Sequence, residues 1–387
     1  MSALGQKQTS VHVRVMSALP PKADIEGAYF DRTRSLHLFR IPPYKFDLLL
    51  RRTSIPWSVR MSITDSQSVP FGLLTMYVED MYSTALGSLN PPADPRIAAA
   101  GWSIVGYLTA QDVLIPAKSA PRQRLSINGA KRVFFGVLAK SDADPTSYVA
   151  AIRGTDGFVE WVIDGEFLPI PHPRHAGVMV EQGFWNIYQT MSLADPATGL
   201  TTHQNAAEGV AKMVGMGTVV VTGHSLGSAL ATYFTDDLAE RLGSRVSACL
   251  FASPRTGDSA WANLCAATVK DYRLFNYILD IVTHVPTLGY ATLPNVTVIQ
   301  PSTAQAGIRL DILCNHHVIC YCAMIDYNAT MAAPTTAQDA SCKSCILGPS
   351  STMPESAKAL AVIINEFGVG DEKALVMLKA LHTVSMV

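Results

Sequence analysis

Five residues, Gly223-His224-Ser225-Leu226-Gly227, constrain this chain more than any other stretch. They follow a β-branched run, Thr218-Val219-Val220-Val221-Thr222, and open onto the small-residue-rich segment Ser228-Ala229-Leu230-Ala231-Thr232-Tyr233. Strand, sharp turn, helix is the context that the pattern G-x-S-x-G needs. The glycines flank a turn too tight for side chains, so the serine hydroxyl is lifted clear of the backbone where a helix begins. A negative charge developing there meets backbone N–H groups that have no acceptor inside the helix. Ser225 is therefore the candidate nucleophile.

Hydrophobic residues make up 48% of the 387-residue chain and charged residues 16%, enough apolar material for a sizeable core. A formal net charge of −1 argues against nucleic acid as a partner and against electrostatic attachment to a membrane. No uncharged apolar run reaches the length of a membrane span. Lys7, His12 and Arg14 interrupt the N-terminus, which therefore does not read as a secretory leader, and the expected location is cytoplasmic. Seven cysteines do not read as a disulfide framework. Cys249 and Cys265 sit in apolar surroundings as small hydrophobes. Cys320, Cys322, Cys342 and Cys345 do not have zinc-ribbon spacing, and are read as free thiols or one local disulfide rather than a metal site. No cofactor and no metal are expected.

Residues 1–60 read as a poorly structured extension. Met1-Ser2-Ala3-Leu4 recurs as Met16-Ser17-Ala18-Leu19, and arginines are scattered without helical or strand period, so Met61 is an alternative start and a short basic arm the rival reading. From about Pro70 order sets in, with helices expected over 73–88 and 97–107 and strands over 132–138 and 147–152. Further on, 204–214, 226–242 and 258–267 read as helices, and 246–252 and 272–279 as strands. Strands alternating with helices argue an α/β fold, a mainly parallel central sheet with helices on both faces. The hydrolytic domain is read over 61–327, and 328–387 as an Ala/Thr/Pro linker and a helical tail.

A serine nucleophile needs a base, itself oriented by a carboxylate. In chain order these follow as Ser, then Asp or Glu, then His. Asp280 ends the run Leu274-Phe275-Asn276-Tyr277-Ile278-Leu279, which would bring it out at the sheet's C-terminal edge; a plain strand-end turn aspartate is the bland alternative. Asp258 and Asp271 follow no clear strand directly. For the base, His316 and His317 both lie downstream in the right order, and the residues alone leave both open. His284 stands too near Asp280 and His224 too near the serine, while His172, His175, His203 and His382 read as surface or loop residues.

Taken together, these motifs resemble the class 3 (fungal-type triacylglycerol) lipases, over roughly residues 147–324. Ile152-Arg153-Gly154-Thr155 resembles the family's F-R-G-[ST], and Gln182-Gly183-Phe184 with Tyr188 its V-H-x-G-F-x-x-x-Y, with Glu181 where histidine is usual. Gly223–Gly227 matches the elbow, Ala252–Asp258 resembles G-[AS]-P-R-[VT]-G-[ND], and Asp280–Pro286 resembles D-x-V-P-x-x-P with Thr283 in place of a proline. The resemblance implies an α/β-hydrolase fold with Ser225 as nucleophile and Asp280 as orienting carboxylate. It makes His316 the favoured base over His317, because His316 to Tyr321 has the family's H-S-x-x-x-Y spacing.

The same resemblance puts Thr155 and Leu226 in the oxyanion hole, where one donor can be worth roughly 3–4 kcal/mol. It also implies a short helical lid, with Phe158, Trp161 and Val162 at i, i+3, i+4 on one face. The expected activity is serine ester hydrolysis of acylglycerols, with a lipid–water interface as the setting that a lid implies. A phospholipase or other carboxylesterase is the alternative within this chemistry, and a non-catalytic lipid-binding relative the alternative outside it. Oligomeric state is not readable.

Overall fold

The computed structural model describes residues 63–112, 131–155, 167–368 and 371–385, all within one compact unit, Arg60–Val387. The extension read over 1–60 and the lid read at Phe158, Trp161 and Val162 lie outside the described residues.

Helix α1 (Asp65–Thr84) starts at a capping box: the Thr64 hydroxyl accepts from the Gln67 N–H, and the Gln67 side chain accepts from the Thr64 N–H. The helix expected over 97–107 does not form. Instead α2 (Pro95–Ala99) is a single turn, Gly101 at φ +81° ends it, and Trp102–Gln111 is strand β1. Trp102, Ile104, Val105, Tyr107 and Thr109 favour a pleated surface, and β1 finds strand partners on both edges. Tertiary pairing overrides the helical period.

The central sheet has nine strands in the order β11-β10-β9-β8-β3-β2-β1-β6-β7. One half is parallel: β3 (Ser147–Ile152), β8 (Thr218–His224), β9 (Val246–Phe251), β10 (Tyr272–Tyr277) and β11 (Thr297–Ile299). The other half, β1, β2 (Arg132–Ser141), β6 (Ser192–Ala194) and β7 (Thr201–His203), is antiparallel. A separate hairpin joins β4 (Pro169–Pro171) to β5 (Met179–Glu181). The parallel strands read from the β-α alternation are present, and β9 is buried along its whole length, as a strand covered on both faces must be.

Helices α3 (Gln182–Tyr188), α4 (Ala206–Val214), α5 (Leu226–Leu242) and α6 (Ser259–Thr268) link the strands, and Gly243 at φ +61° stops α5. Beyond β12 (Ala306–Ile308) come α7 (Ile312–His316) and α8 (Val318–Ile325). Helix α1 lies so close to α8 that a Cβ on Gly72 would stand 2.5 Å from the Cys322 Sγ.

The linker read from residue 328 onward is corrected by the structure. Tyr327–Ala332 and Ala337–Lys343 are short helices, and β13 (Ile346–Pro349) pairs antiparallel with β12. Cys345 is disulfide-bonded to Cys314 of α7, and Asp339 takes an ion pair from the buried Arg96. The polar, proline-containing composition hid a strand whose partner lies far back in the chain. Cys320 and Cys322 are buried within α8, where burial pushes their thiols well above the usual range.

Candidate active site

The elbow is a backbone constraint before it is chemistry. Ser225 lies between β8 and α5 at φ 58° and ψ −128°, a region that L-residues occupy only when their surroundings over-determine it. Its N–H donates to the Phe251 carbonyl at 3.1 Å. The flanking glycines are required by contact: a Cβ on Gly223 would lie 2.4 Å from the Gly227 carbonyl oxygen, and one on Gly227 2.2 Å from that of Ile152. Helix α5 can therefore start directly against the end of β3. That packing presents the Ser225 hydroxyl at the C-terminal edge of the sheet.

Asp280 follows β10 and combines the two readings open to it. Its Oδ1 accepts from the Val282 N–H at 2.9 Å and caps the turn Ile281–His284, as a strand-end aspartate would. Its Oδ2 accepts from His316 Nδ1 at 2.8 Å and from the Tyr321 hydroxyl at 2.7 Å. Across the ring, His316 Nε2 stands 2.8 Å from Ser225 Oγ and can accept its proton. Asp280 is fully buried, with Ser225 2% and His316 7% exposed, so the chain of three is shielded from water. The Tyr321 hydroxyl in turn accepts from the Tyr277 N–H at 2.9 Å, and the Asn315 amide donates to the Leu279 carbonyl at 3.2 Å. These bonds fasten the segment that carries His316 onto the end of β10.

His317 is not part of this line. It caps α8, its Nδ1 accepting from the Ile319 N–H at 3.3 Å, and burial pushes its pKa down to about 4. His284 is buried and bonded to the Ile278 carbonyl at 2.9 Å, a structural role. His172, read as a surface or loop residue, is 4% exposed; it packs against Trp185 and Trp261.

His224 does more than fill the elbow. Its Nδ1 pairs with Glu79 Oε1 at 2.9 Å and its Nε2 with the His316 carbonyl at 2.7 Å. Burial alone would lower the His224 pKa, but the Glu79 charge and hydrogen bond raise it, which favours the protonated ring. The partner responds in kind: burial would raise Glu79, and His224 brings it below the usual carboxylate range. A charged imidazole donates from both nitrogens, which is what this geometry asks of it. Glu79 Oε1 also accepts from the Gly154 N–H at 3.1 Å, so one carboxylate braces both the histidine segment and the loop before Thr155. Sequence reasoning missed Glu79. It sits on α1 with no local pattern to mark it.

The expected oxyanion donors lie on segments adjacent to Ser225. Leu226 is the first residue of α5, so its N–H is among those without an intrahelical acceptor. Gly154, immediately before Thr155, packs so near the nucleophile that an added Cβ would stand 3.2 Å from the Ser225 Cβ. Arg153 secures this loop: its Nε donates to the Phe134 carbonyl at 2.8 Å, its Nη1 to the Gly154 carbonyl at 2.5 Å, and its guanidinium lies 3.4 Å from the centre of the Tyr82 ring.

Residues 149–290 match the family described as lipase (class 3). Over these residues the chain is similar to the class 3 lipases. The match contains Ser225 and Asp280 but stops short of His316, which only the tertiary structure brings alongside them. The lipase of Rhizomucor miehei is 28% identical over 253 residues, covering 64% of this chain and 65% of its own. Phospholipase A1-IIgamma of Arabidopsis thaliana is 30% identical over 186 residues, covering 41% and 44% respectively. Secreted mono- and diacylglycerol lipase A of Penicillium cyclopium is 27% identical over 172 residues, covering 43% and 52%. The chain thus spans less than two-thirds of the length of each of these relatives.

Two departures from the family pattern have local explanations. Glu181, where the resemblance expects histidine, caps α3 through a 2.7 Å bond from the Phe184 N–H; burial pushes its pKa up to about 7, against backbone donors that pull it down. Thr283, where proline is usual, turns its hydroxyl back onto the Asp280 carbonyl at 3.0 Å, so the turn bearing Asp280 remains tied.

Proposed function

We propose that the chain is a serine-dependent carboxylic ester hydrolase that acts on acylglycerols through an acyl-enzyme on Ser225. The line Ser225–His316–Asp280, with both links at 2.8 Å, carries this reading. In it, Ser225 Oγ attacks the ester carbonyl while His316 Nε2 takes the hydroxyl proton. Asp280 Oδ2 holds the Nδ1–H tautomer and stabilises the imidazolium that forms. The Leu226 and Thr155 N–H groups receive the negative charge of the tetrahedral intermediate. His316 then passes its proton to the departing alcohol. Water enters, gives its proton to His316, attacks the acyl-enzyme and releases the fatty acid as Ser225 recovers its hydrogen.

The relative named as a mono- and diacylglycerol lipase supports acylglycerols as substrate class, and the phospholipase A1 relative supports phospholipids as the second reading. A non-catalytic lipid-binding role leaves the strained serine and its base without a purpose. Reaction with a fluorophosphonate probe tests the chemistry. Wild-type protein is expected to label at Ser225 and to turn over p-nitrophenyl esters, whereas Ser225→Ala does neither; activity surviving in that variant refutes the assignment. Fatty-acid release from a triacylglycerol emulsion, compared with that from phosphatidylcholine vesicles, separates the two substrate classes.

A further inference from the structure

On the far half of α5 a second cluster of side chains stands apart from Ser225. Asp236 and Glu240 are four residues apart on this helix and so share one face. Against that face the loop between β4 and β5 places His175, whose Nε2 lies 3.7 Å from Asp236 Oδ2 and 3.4 Å from Glu240 Oε1. One donor atom from each of the three side chains falls within 4.8 Å of the other two.

We propose that His175, Asp236 and Glu240 form a binding site for a zinc-class divalent transition metal that fastens the β4–β5 hairpin to the elbow helix.

Three observations point to a cation and not to an ordinary ion-pair network. The first is Asp236 itself. It is 1% exposed, yet neither carboxylate oxygen has a hydrogen-bond partner among the described residues. The Thr268 hydroxyl near it donates to the Leu264 carbonyl at 2.9 Å, and the Arg174 Nη2 stays 3.9 Å away. Burying a carboxylate with no hydrogen bond, and with only long ion-pair distances to Arg174 and His175, costs several kcal/mol, so such a group calls for a closer counter-charge.

The second is His175 Nε2, which is buried, faces both carboxylates and makes a hydrogen bond to neither. With an ion bound, this nitrogen would turn its lone pair to the metal. The third is the separation of the donors. A tetrahedral ion with ligands at about 2.1 Å holds them about 3.4 Å apart, close to the two distances from His175.

The surrounding groups suit the assignment. Arg174 Nη1 bonds Glu240 Oε2 at 2.9 Å and Asp237 Oδ1 at 2.8 Å, which turns Glu240 Oε1 toward His175. Among the described residues, Asp236, Asp237 and Glu240 face Arg174 and Arg241 as fixed cations, so the cluster carries surplus negative charge. His172 stacks on His175 with ring centres 4.5 Å apart; its Nδ1 accepts from the Arg174 N–H at 3.1 Å, so its proton sits on Nε2 and it is not counted as a ligand. Glu240 is 39% and His175 24% exposed, which leaves an entry path and room for a water as fourth ligand. One imidazole with two carboxylates selects zinc-like ions over calcium or magnesium, which prefer all-oxygen sites.

The test uses the full chain, freed of metal by chelation and then titrated with Zn²⁺ against a chromogenic chelator. One Zn²⁺ is expected per chain, with a dissociation constant of about a micromolar or tighter and a rise in melting temperature on binding. His175→Ala and Glu240→Gln are each expected to weaken binding at least about tenfold and to abolish the rise in melting temperature, while metal-free ester turnover stays at the wild-type level. Should His175→Ala fail to fold, Glu240→Gln at the exposed rim decides the question. Absence of stoichiometric Zn²⁺ binding overturns the proposal. So does binding that survives both substitutions, or a site that takes Ca²⁺ or Mg²⁺ in preference to Zn²⁺.

Discussion

Replacing Glu79 by glutamine changes almost no atoms and removes one charge, which makes it a sharp probe of how His316 is held. In the native protein His224 is protonated and donates twice, to Glu79 Oε1 at 2.9 Å and to the His316 carbonyl at 2.7 Å. In Glu79→Gln the amide can still offer an oxygen to His224 and to Gly154, but it no longer compensates the burial that drives the His224 proton off. Once neutral, His224 has a single N–H for two acceptors, and one bond must go. A hydrogen bond from a charged donor is worth about 1.5–3 kcal/mol. If its loss is felt fully in the transition state, kcat falls roughly ten- to a hundredfold.

The effect has a pH signature. The native Glu79 contribution is fully present above the ordinary carboxylate value of 4.5 and fades as pH falls through its lowered folded value. That of His224 is fully present below 6.5 and fades as pH rises through its raised folded value. In the variant His224 loses its proton earlier. The variant-to-wild-type ratio of kcat on a soluble p-nitrophenyl ester should therefore lie near one at about pH 5.5 and fall by about pH 7.5, across the range in which an imidazole changes charge. KM should change little, because both residues act through the way His316 is held. A ratio that is flat with pH, at whatever level, would refute the claim that the His224 charge positions His316.

Glu181 gives a second, independent pH test. Its pKa is raised from the ordinary 4.5 to about 7, so the folded state binds a proton that the unfolded chain has released, and stability falls as pH rises between those values. Glu181→Gln should flatten that slope and add up to about 3 kcal/mol at pH 8, read from urea unfolding at several pH values; parallel wild-type and variant profiles would count against it. The Cys314–Cys345 bridge closes a separation of 31 residues, which by loop entropy is worth about 3–4 kcal/mol. The double serine variant should melt lower and lose activity as well, since Cys314 shares α7 with His316; equal melting of variant and oxidised protein would show that the bridge adds nothing.

What could be read from the chain was what depends on neighbours in sequence. The elbow is legible because the β-branched run, the two glycines and the small residues after Ser225 act within one turn, and Asp280 is legible because it ends a strand of clear pattern. The core strands read over 132–138, 147–152 and 246–252 are equally local. Choosing between His316 and His317 was a different problem: adjacent residues at a helix end point in different directions, and packing of α7 on β10 decides which one meets Asp280. Strand β1 was misread as helix because its β identity comes from β2 and β6 on its two edges.

The same limit explains the rest. Glu79 and His224 lie 145 positions apart, Cys314 and Cys345 31 apart, and Tyr321 reaches Asp280 across 41. No periodicity or motif links such pairs, because it is the folded sheet and the helices α1, α7 and α8 that bring them into contact. The sequence by itself determined the nucleophile, its turn and the order of the partners. Only the tertiary structure decided which histidine meets Asp280, what charge braces it and where the buried Asp236 finds itself without a hydrogen bond.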